Sequence, residues 1–202
     1  MPKAKAWVIG FDLSLTAPAA VALPLDWKPG SWKEVRAWLL KPKAPSTDDL
    51  HGQLIRYWQI AEWALAIAAK CIVAGQDGGE AISPDCFVEG YGFSKNNSQA
   101  SRLMENGGIV KMMLFRECNI ILKPVATNTA RKLFLGAVPK KDPKLAVQQA
   151  LFAAGAPKVW EENICDAFVC CNYGLSEVGS PALMLHAPEE GTVAATIPRR
   201  CR

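Results

Sequence analysis

Three apolar runs crowd into the first 40 residues, AWVIGFDL, TAPAAVAL and EVRAWLL, with connections too short to hold a helix. Strands joined this closely pair antiparallel, because a parallel partner needs a crossover of roughly a dozen residues or more. The second connection, LDWKPGSW, turns through Pro29-Gly30. An antiparallel meander is therefore the starting point of the fold. The first run also carries a carboxylate, Asp12, inside an otherwise apolar stretch. A buried acid is costly unless something compensates it.

After KPKAPSTDDL the period changes. Leu50, Leu54, Tyr57, Trp58, Ala61, Leu65 and Ala68 recur at helical spacing, predicting a helix from about Asp48 to Cys71 with Ser46, Thr47 or Asp48 as N-cap. GQDGGEAISPD reads as a loop and CFVEGYGF as a buried strand carrying Glu89. A second helix spans Ser98 to Glu117, despite the Gly107-Gly108 pair, and NIILKPV is a further strand. TNTARKLFLG predicts a short helix capped by Thr127 or Asn128 and ended by Gly136. DPKLAVQQALFAAG predicts another, with Pro143 in its first turn and Gly155 at its end. A last helix runs from about Trp160 to Leu175. The order βββ-α-β-α-β-α-α-α describes one mixed α/β domain over residues 1–176, followed by an extended Pro- and Gly-rich tail over 177–202. No internal repeat is present.

Composition excludes several classes. No apolar stretch approaches the ~20 residues of a membrane span, and the opening residues MPKAKAWVIG lack the apolar core of a signal peptide, so a cytoplasmic location is expected. Seven cysteines without a CxxC pair, and only His51 and His186 beside them, argue for reduced thiols and against a zinc site. The net charge is +4, yet between Lys123 and Lys144 six basic residues face one acid, Asp142. On charge alone, that window fits a polyanionic partner and a solvated run of lysines equally well.

Two more acids share the setting of Asp12. Glu89 ends the apolar run CFVE, and Asp166 lies within the largely apolar helix WEENICDAFVCCNYGL. Glu162 and Asn163, four and three residues earlier, can share a face with Asp166. Three acids at apolar element ends favour convergence on a divalent cation. Oxygen donors without His or Cys select Mg²⁺ or Mn²⁺. Two such ions can activate water and stabilise the leaving oxygen of a phosphodiester. The residues alone thus point to a metal-dependent nuclease.

Four stretches in order, GFDLSLTAPAAVAL, FVEGYGFSKNNSQASRLMENGGIV, TARKLFLGAVPKKDPKLAVQQAL and NICDAFVCCNYGL, resemble the RuvC-type Holliday-junction resolvases, particularly their bacteriophage branch, in the RNase H-like superfamily. The resemblance covers Trp7 to about Leu175. It implies an RNase H-like α/β fold: a central mixed five-stranded sheet, three antiparallel strands then two parallel, flanked by helices. It implies Asp12, Glu89 and Asp166 as metal ligands for Mg²⁺ or Mn²⁺, two ions per site. Asn163 falls where the family carries a fourth ligand, an acid or a His, and is the expected fourth ligand here through its carbonyl oxygen, with Glu162 as substitute. Arg131 and Lys144 correspond to basic residues that grip the scissile phosphate, and Lys132, Lys140 and Lys141 to contacts along the DNA arms. Tyr91 and Phe93 fall where the family presents an aromatic to the junction centre, and Lys95 lies beside them as a further DNA contact. The implied partners are branched DNA (four-way junctions, with flaps and forks as further substrates) and a second copy of the chain. Met104, Gly107, Gly108, Met112 and Met113 are expected at that interface. The tail end IPRRCR lies outside the resemblance.

Two other readings compete. GFDLSLT loosely resembles the first phosphate loop of actin- and sugar-kinase-like ATPases, but such proteins use two domains of this kind and a glycine-rich adenosine motif absent from this sequence. A junction-binding protein without catalysis is suggested by Asn163 alone.

Overall fold

The computed structural model describes residues 6–43, 49–73, 81–90 and 97–185, the side chains of 97–99 excepted. Its sheet has the strand order β3-β2-β1-β4-β5. Strands β1 (Trp7–Asp12), β2 (Ala19–Pro24) and β3 (Arg36–Leu39) form the antiparallel meander. Strands β4 (Asp85–Glu89) and β5 (Leu122–Val125) extend it in parallel from β1. The intervening helices are α1 (Leu50–Cys71) and α2 (Asn97–Cys118), followed by α3 (Thr127–Leu135), α4 (Pro143–Ala153) and α5 (Glu162–Glu177). This is the expected mixed sheet of three antiparallel and two parallel strands.

Helices cover both faces of the sheet, so the central strand is buried along its whole length. Strand periodicity sorts its side chains. Ile9 and Phe11 join Ile60, Ala64 and Leu114 under α1 and α2. Val8 joins Phe87, Phe134 and Phe168 under α3 and α5. Gly10 and Asp12 therefore face α5 as well. There is no room for a side chain at Gly10, where a Cβ would meet the backbone of Ala167 and Cys171. An aromatic cluster of Trp27, Trp32, Trp160 and Phe168 locks the β2–β3 connection to the start of α5, and the Trp32 indole donates to the Ala154 carbonyl at 2.9 Å.

Several element ends differ from the sequence expectation, each for a local reason. Strand β5 starts at Leu122 because Asn119 takes a left-handed φ of 53° and the amides of Asn119 and Ile120 return to carbonyls of α2. Helix α1 is capped by Asp49, whose Oδ1 accepts from the Gly52 amide at 2.7 Å; the expected caps Ser46, Thr47 and Asp48 lie outside the described residues. Helix α3 has no side-chain cap at all. Its N-cap position is Ala126, and Thr127 turns its hydroxyl elsewhere. Gly136 (φ 78°) ends α3 and Gly155 (φ 92°) follows α4, as expected. Beyond α5, Asn172 exchanges two hydrogen bonds with Leu183 (3.0 and 2.7 Å), and the Leu185 amide donates to the Phe134 carbonyl at 3.0 Å. The IPRRCR end lies outside the described residues. No helix among the described residues is long and apolar enough to cross a membrane. The six described cysteines are free thiols.

On α2 the small and sulfur-bearing residues divide between two faces. Gly107 and Met113 are buried. Met104 and Met112, 53% and 61% exposed, share the outer face with Phe115 and Gly108, where an added Cβ would meet nothing.

Candidate active site

Parallel pairing brings two of the acids together. Phe11 pairs with Val88, so the next residues along, Asp12 and Glu89, end adjacent strands side by side. Both project toward α5, whose second turn presents Asp166. One carboxylate oxygen from each lies within 4.8 Å of the other two. Like charges held this close in a buried setting resist ionisation. Burial, then Glu89, pushes the Asp12 carboxyl up to about 7. Burial, then Asp166, also raises Glu89, while Thr127 and Arg131 pull it back.

Each acid is held by a second group. The Ser14 amide donates to Asp12 Oδ1 at 3.1 Å, closing the turn after β1. The Thr127 hydroxyl donates to Glu89 Oε1 at 2.7 Å. It is a role that capping statistics hide: Thr127 is the first residue of α3, not its N-cap, and sits just past the end of β5, beside β4. Arg131 Nη2 donates to Asp166 Oδ1 at 2.8 Å and lies 3.8 Å from Glu89 Oε1. The Lys144 ammonium is 3.0 Å from Asp166 Oδ2.

The other expected site residues fall into distinct places. Asn163 donates from Nδ2 to the Ala17 carbonyl at 2.6 Å and to Ser14 Oγ at 3.3 Å, pinning the β1–β2 turn to α5. An acid at this position has no proton to offer either acceptor at neutral pH, which gives Asn a structural reason to be there. Glu162 is exposed and lines a cleft of ≈ 580 Å³ with Arg131, Asp142, Pro143, Lys144 and Leu145. The Arg131 side chain is buried among the acids at the edge of that cleft. Lys123 pairs with Asp85 at 2.7 Å. Three of the six cations in the basic window thus answer acids of the chain itself, while Lys132, Lys140 and Lys141 are exposed. Tyr91, Phe93 and Lys95 lie outside the described residues.

The donors suit a hard divalent cation. All three are carboxylates, on three separate elements, and mutual repulsion opposes their convergence unless positive charge sits between them. Asp166 Oδ2 is closed off from solvent and faces the Lys144 ammonium. Asp12, Glu89 and Asp166 would hold the ion; Asn163 is committed through its amide nitrogen, which leaves only its carbonyl oxygen.

No protein-family model matches this sequence, and no curated protein matches it. Solved structures do. A mixed five-stranded sheet with helices on both faces and acids at the ends of β1, β4 and in the last helix defines an RNase H-like fold. Within it, the chain is similar to RuvC of Thermus thermophilus. The structure of that protein in complex with a Holliday junction substrate superposes with a TM-score of 0.56 at 17% identity, covering 86% of this chain and 96% of that one. A second Thermus thermophilus RuvC structure gives 0.55 at 16% identity, over 86% and 97%. The fold expected from the four sequence stretches is thereby found in the structure.

Proposed function

We propose that this chain is a structure-specific endodeoxyribonuclease that resolves four-way DNA junctions, and other branched DNA, by divalent-metal-dependent phosphodiester hydrolysis. One observation carries the reading: three carboxylates from β1, β4 and α5 converge within 4.8 Å on a scaffold with the fold of RuvC. Bound between them, Mg²⁺ or Mn²⁺, two ions per site, would supply an activated water and stabilise the leaving 3′ oxygen, giving 5′-phosphate and 3′-hydroxyl ends. The chain's own part is to position. The sheet fixes Asp12 and Glu89, Thr127 orients Glu89, and Arg131 holds Asp166 and Glu89 against their mutual repulsion. Lys144 and Glu162 border a cleft beside the acid-bound Arg131, and the exposed Lys132, Lys140 and Lys141 would meet phosphates further out.

Paired nicks on opposing strands require two sites, hence a homodimer. The outer face of α2 supports this, because Met104, Gly108, Met112 and Phe115 form an exposed apolar stripe at i, i+4, i+8 and i+11 with a notch at its centre. Two such helices can cross closely at the glycine. Asn106 on the inner face of α2 donates to the Leu13 carbonyl at 3.2 Å, so the interface helix is tied directly to the end of β1.

The test is incubation of a labelled synthetic four-way junction with and without Mg²⁺ or Mn²⁺, beside Asp12→Asn. Symmetric paired nicks that need metal and vanish in the variant support the proposal. Binding without nicking in either metal would move the chain to a junction-binding protein whose Asn163 has silenced the site.

A further inference from the structure

Two cations balance the acids, and they differ in how firmly they are held. The Arg131 side chain is 7% exposed and bonded to two carboxylates, so it cannot leave without opening the interface between β4, α3 and α5. The Lys144 side chain is 46% exposed and comes from the first turn of α4. Its long stem lies along the open cleft that Glu162 and Asp142 border. It can therefore swing outward with no change in the fold.

The Lys144 ammonium also occupies the place where a bound cation is most useful. It is 3.0 Å from Asp166 Oδ2, an oxygen closed off from solvent. Desolvation works against its charge, but Asp166, Asp12 and Glu89 together outweigh that and strengthen its hold on the proton. In return Lys144 eases the ionisation of both Asp12 and Glu89. The ammonium pairs directly with Asp166, and its charge acts on Asp12 and Glu89 from further off. An ammonium on Asp166 and a divalent ion held by the same carboxylate would repel each other strongly at such separations.

Resting on the metal reading above, we propose that Lys144 is an exchangeable counter-ion: it holds the acid cluster together in the metal-free protein and withdraws into the cleft beside Glu162 when a divalent cation binds, where it becomes free for a DNA phosphate. Arg131 is the permanent counter-ion that stays. The coupling runs both ways. A phosphate that draws Lys144 into the cleft raises the affinity of the acids for metal, and metal frees Lys144 for the phosphate. Lys144 is on this account a positioning residue, linking occupancy of the two sites.

The experiment compares thermal unfolding of the full chain as wild type, Lys144→Gln and Asp12→Asn, each in chelator and in saturating Mn²⁺ without DNA. Mn²⁺ affinity is measured alongside by calorimetry. Exchange predicts that Lys144→Gln lowers the melting temperature in chelator by about 2 °C or more and that the deficit closes in Mn²⁺. It also predicts Mn²⁺ binding tighter by about fivefold or more, a gain that a merely structural lysine would not produce. Lys144→Arg, which keeps the charge, should restore the melting temperature in chelator. An equal deficit with and without Mn²⁺ would overturn the exchange, since Lys144 would then stay on Asp166 in both states. No deficit in chelator would overturn it too, placing Lys144 off the acids throughout. If wild type gains no stability from Mn²⁺, the metal reading itself fails and takes this proposal with it. Asp12→Asn should abolish the Mn²⁺ effect, which ties that effect to the cluster.

Discussion

Replacing Gly10 by alanine tests the contact that brings the acids together. Gly10 sits two residues before Asp12 on β1, and α5 lies so close that a Cβ there would be 2.7 Å from the Cys171 Cα and nearer still to the Ala167 carbonyl oxygen and the Cys171 amide nitrogen. Ordinary contact begins at 3.4 Å, and all three obstacles are backbone atoms that cannot rotate aside. Helix α5 must back away by roughly 1 Å, loosening the packing of Phe168, Cys171 and Leu175 as well. Overpacking costs about 1–3 kcal/mol where side chains can adjust, so a backbone collision should cost about 3 kcal/mol or more. For a chain of this size that lowers the melting temperature by about 6–12 °C. Because β1 carries Asp12 and α5 carries Asp166, Mn²⁺ affinity should fall in the same variant. Urea and thermal unfolding, followed by tryptophan fluorescence, to which the aromatic cluster of Trp27, Trp32 and Trp160 contributes, measure the first effect and calorimetry the second. A variant within about 0.5 kcal/mol of wild type, with unchanged Mn²⁺ affinity, would refute the argument that this close approach sets the site.

Asn163→Asp removes the donor to the Ala17 carbonyl and Ser14 Oγ and sets oxygen against oxygen at 2.6 Å. It should destabilise the metal-free protein by about 1–3 kcal/mol in urea unfolding; unchanged stability would mean that Asn163 does not pin the turn. The pH dependence has two opposite signs. With the Asp12 carboxyl at about 7 in the fold against 3.8 ordinarily, the folded metal-free chain holds a proton that the unfolded chain releases, so this group makes stability fall as pH climbs from about 4 to about 7. Mn²⁺ must displace that proton, so affinity should rise by up to about tenfold per unit toward pH 7 and level off above it. Calorimetry across pH 5.5–8 checks this, and a flat profile would contradict it.

The sheet was legible because period and loop length constrain it from opposite directions. Short connections demanded the antiparallel meander through Leu40, and helical spacing from Leu50 demanded crossovers to β4 and β5. The acids were legible for a related reason. A carboxylate in an apolar run stands out; that Asp12 and Glu89 share one face depends on the register that pairs Phe11 with Val88, which only the structure shows. What the sequence hid depends on contacts between segments distant along the chain. Thr127 reads as a helix cap because its neighbours in the chain are helical; its hydrogen-bond partner, Glu89, lies on another strand. Lys123 reads as part of a basic patch until Asp85 appears beside it. Arg131 and Lys144 read as groups reaching for phosphate, yet in the fold both turn toward Asp166. Asn163 reads as a fourth ligand, and the sequence does not show that its amide nitrogen donates to the β1–β2 turn. Charge counted along a chain does not say which charges are already answered.

The most direct measurement is anomalous diffraction from crystals of the full chain soaked in Mn²⁺. The account predicts an anomalous peak among the carboxylate oxygens of Asp12, Glu89 and Asp166, with Arg131 still on Asp166 and the Lys144 ammonium withdrawn. Crystals that take up Mn²⁺ elsewhere, or none at all, while Lys144 remains 3.0 Å from Asp166, would contradict it.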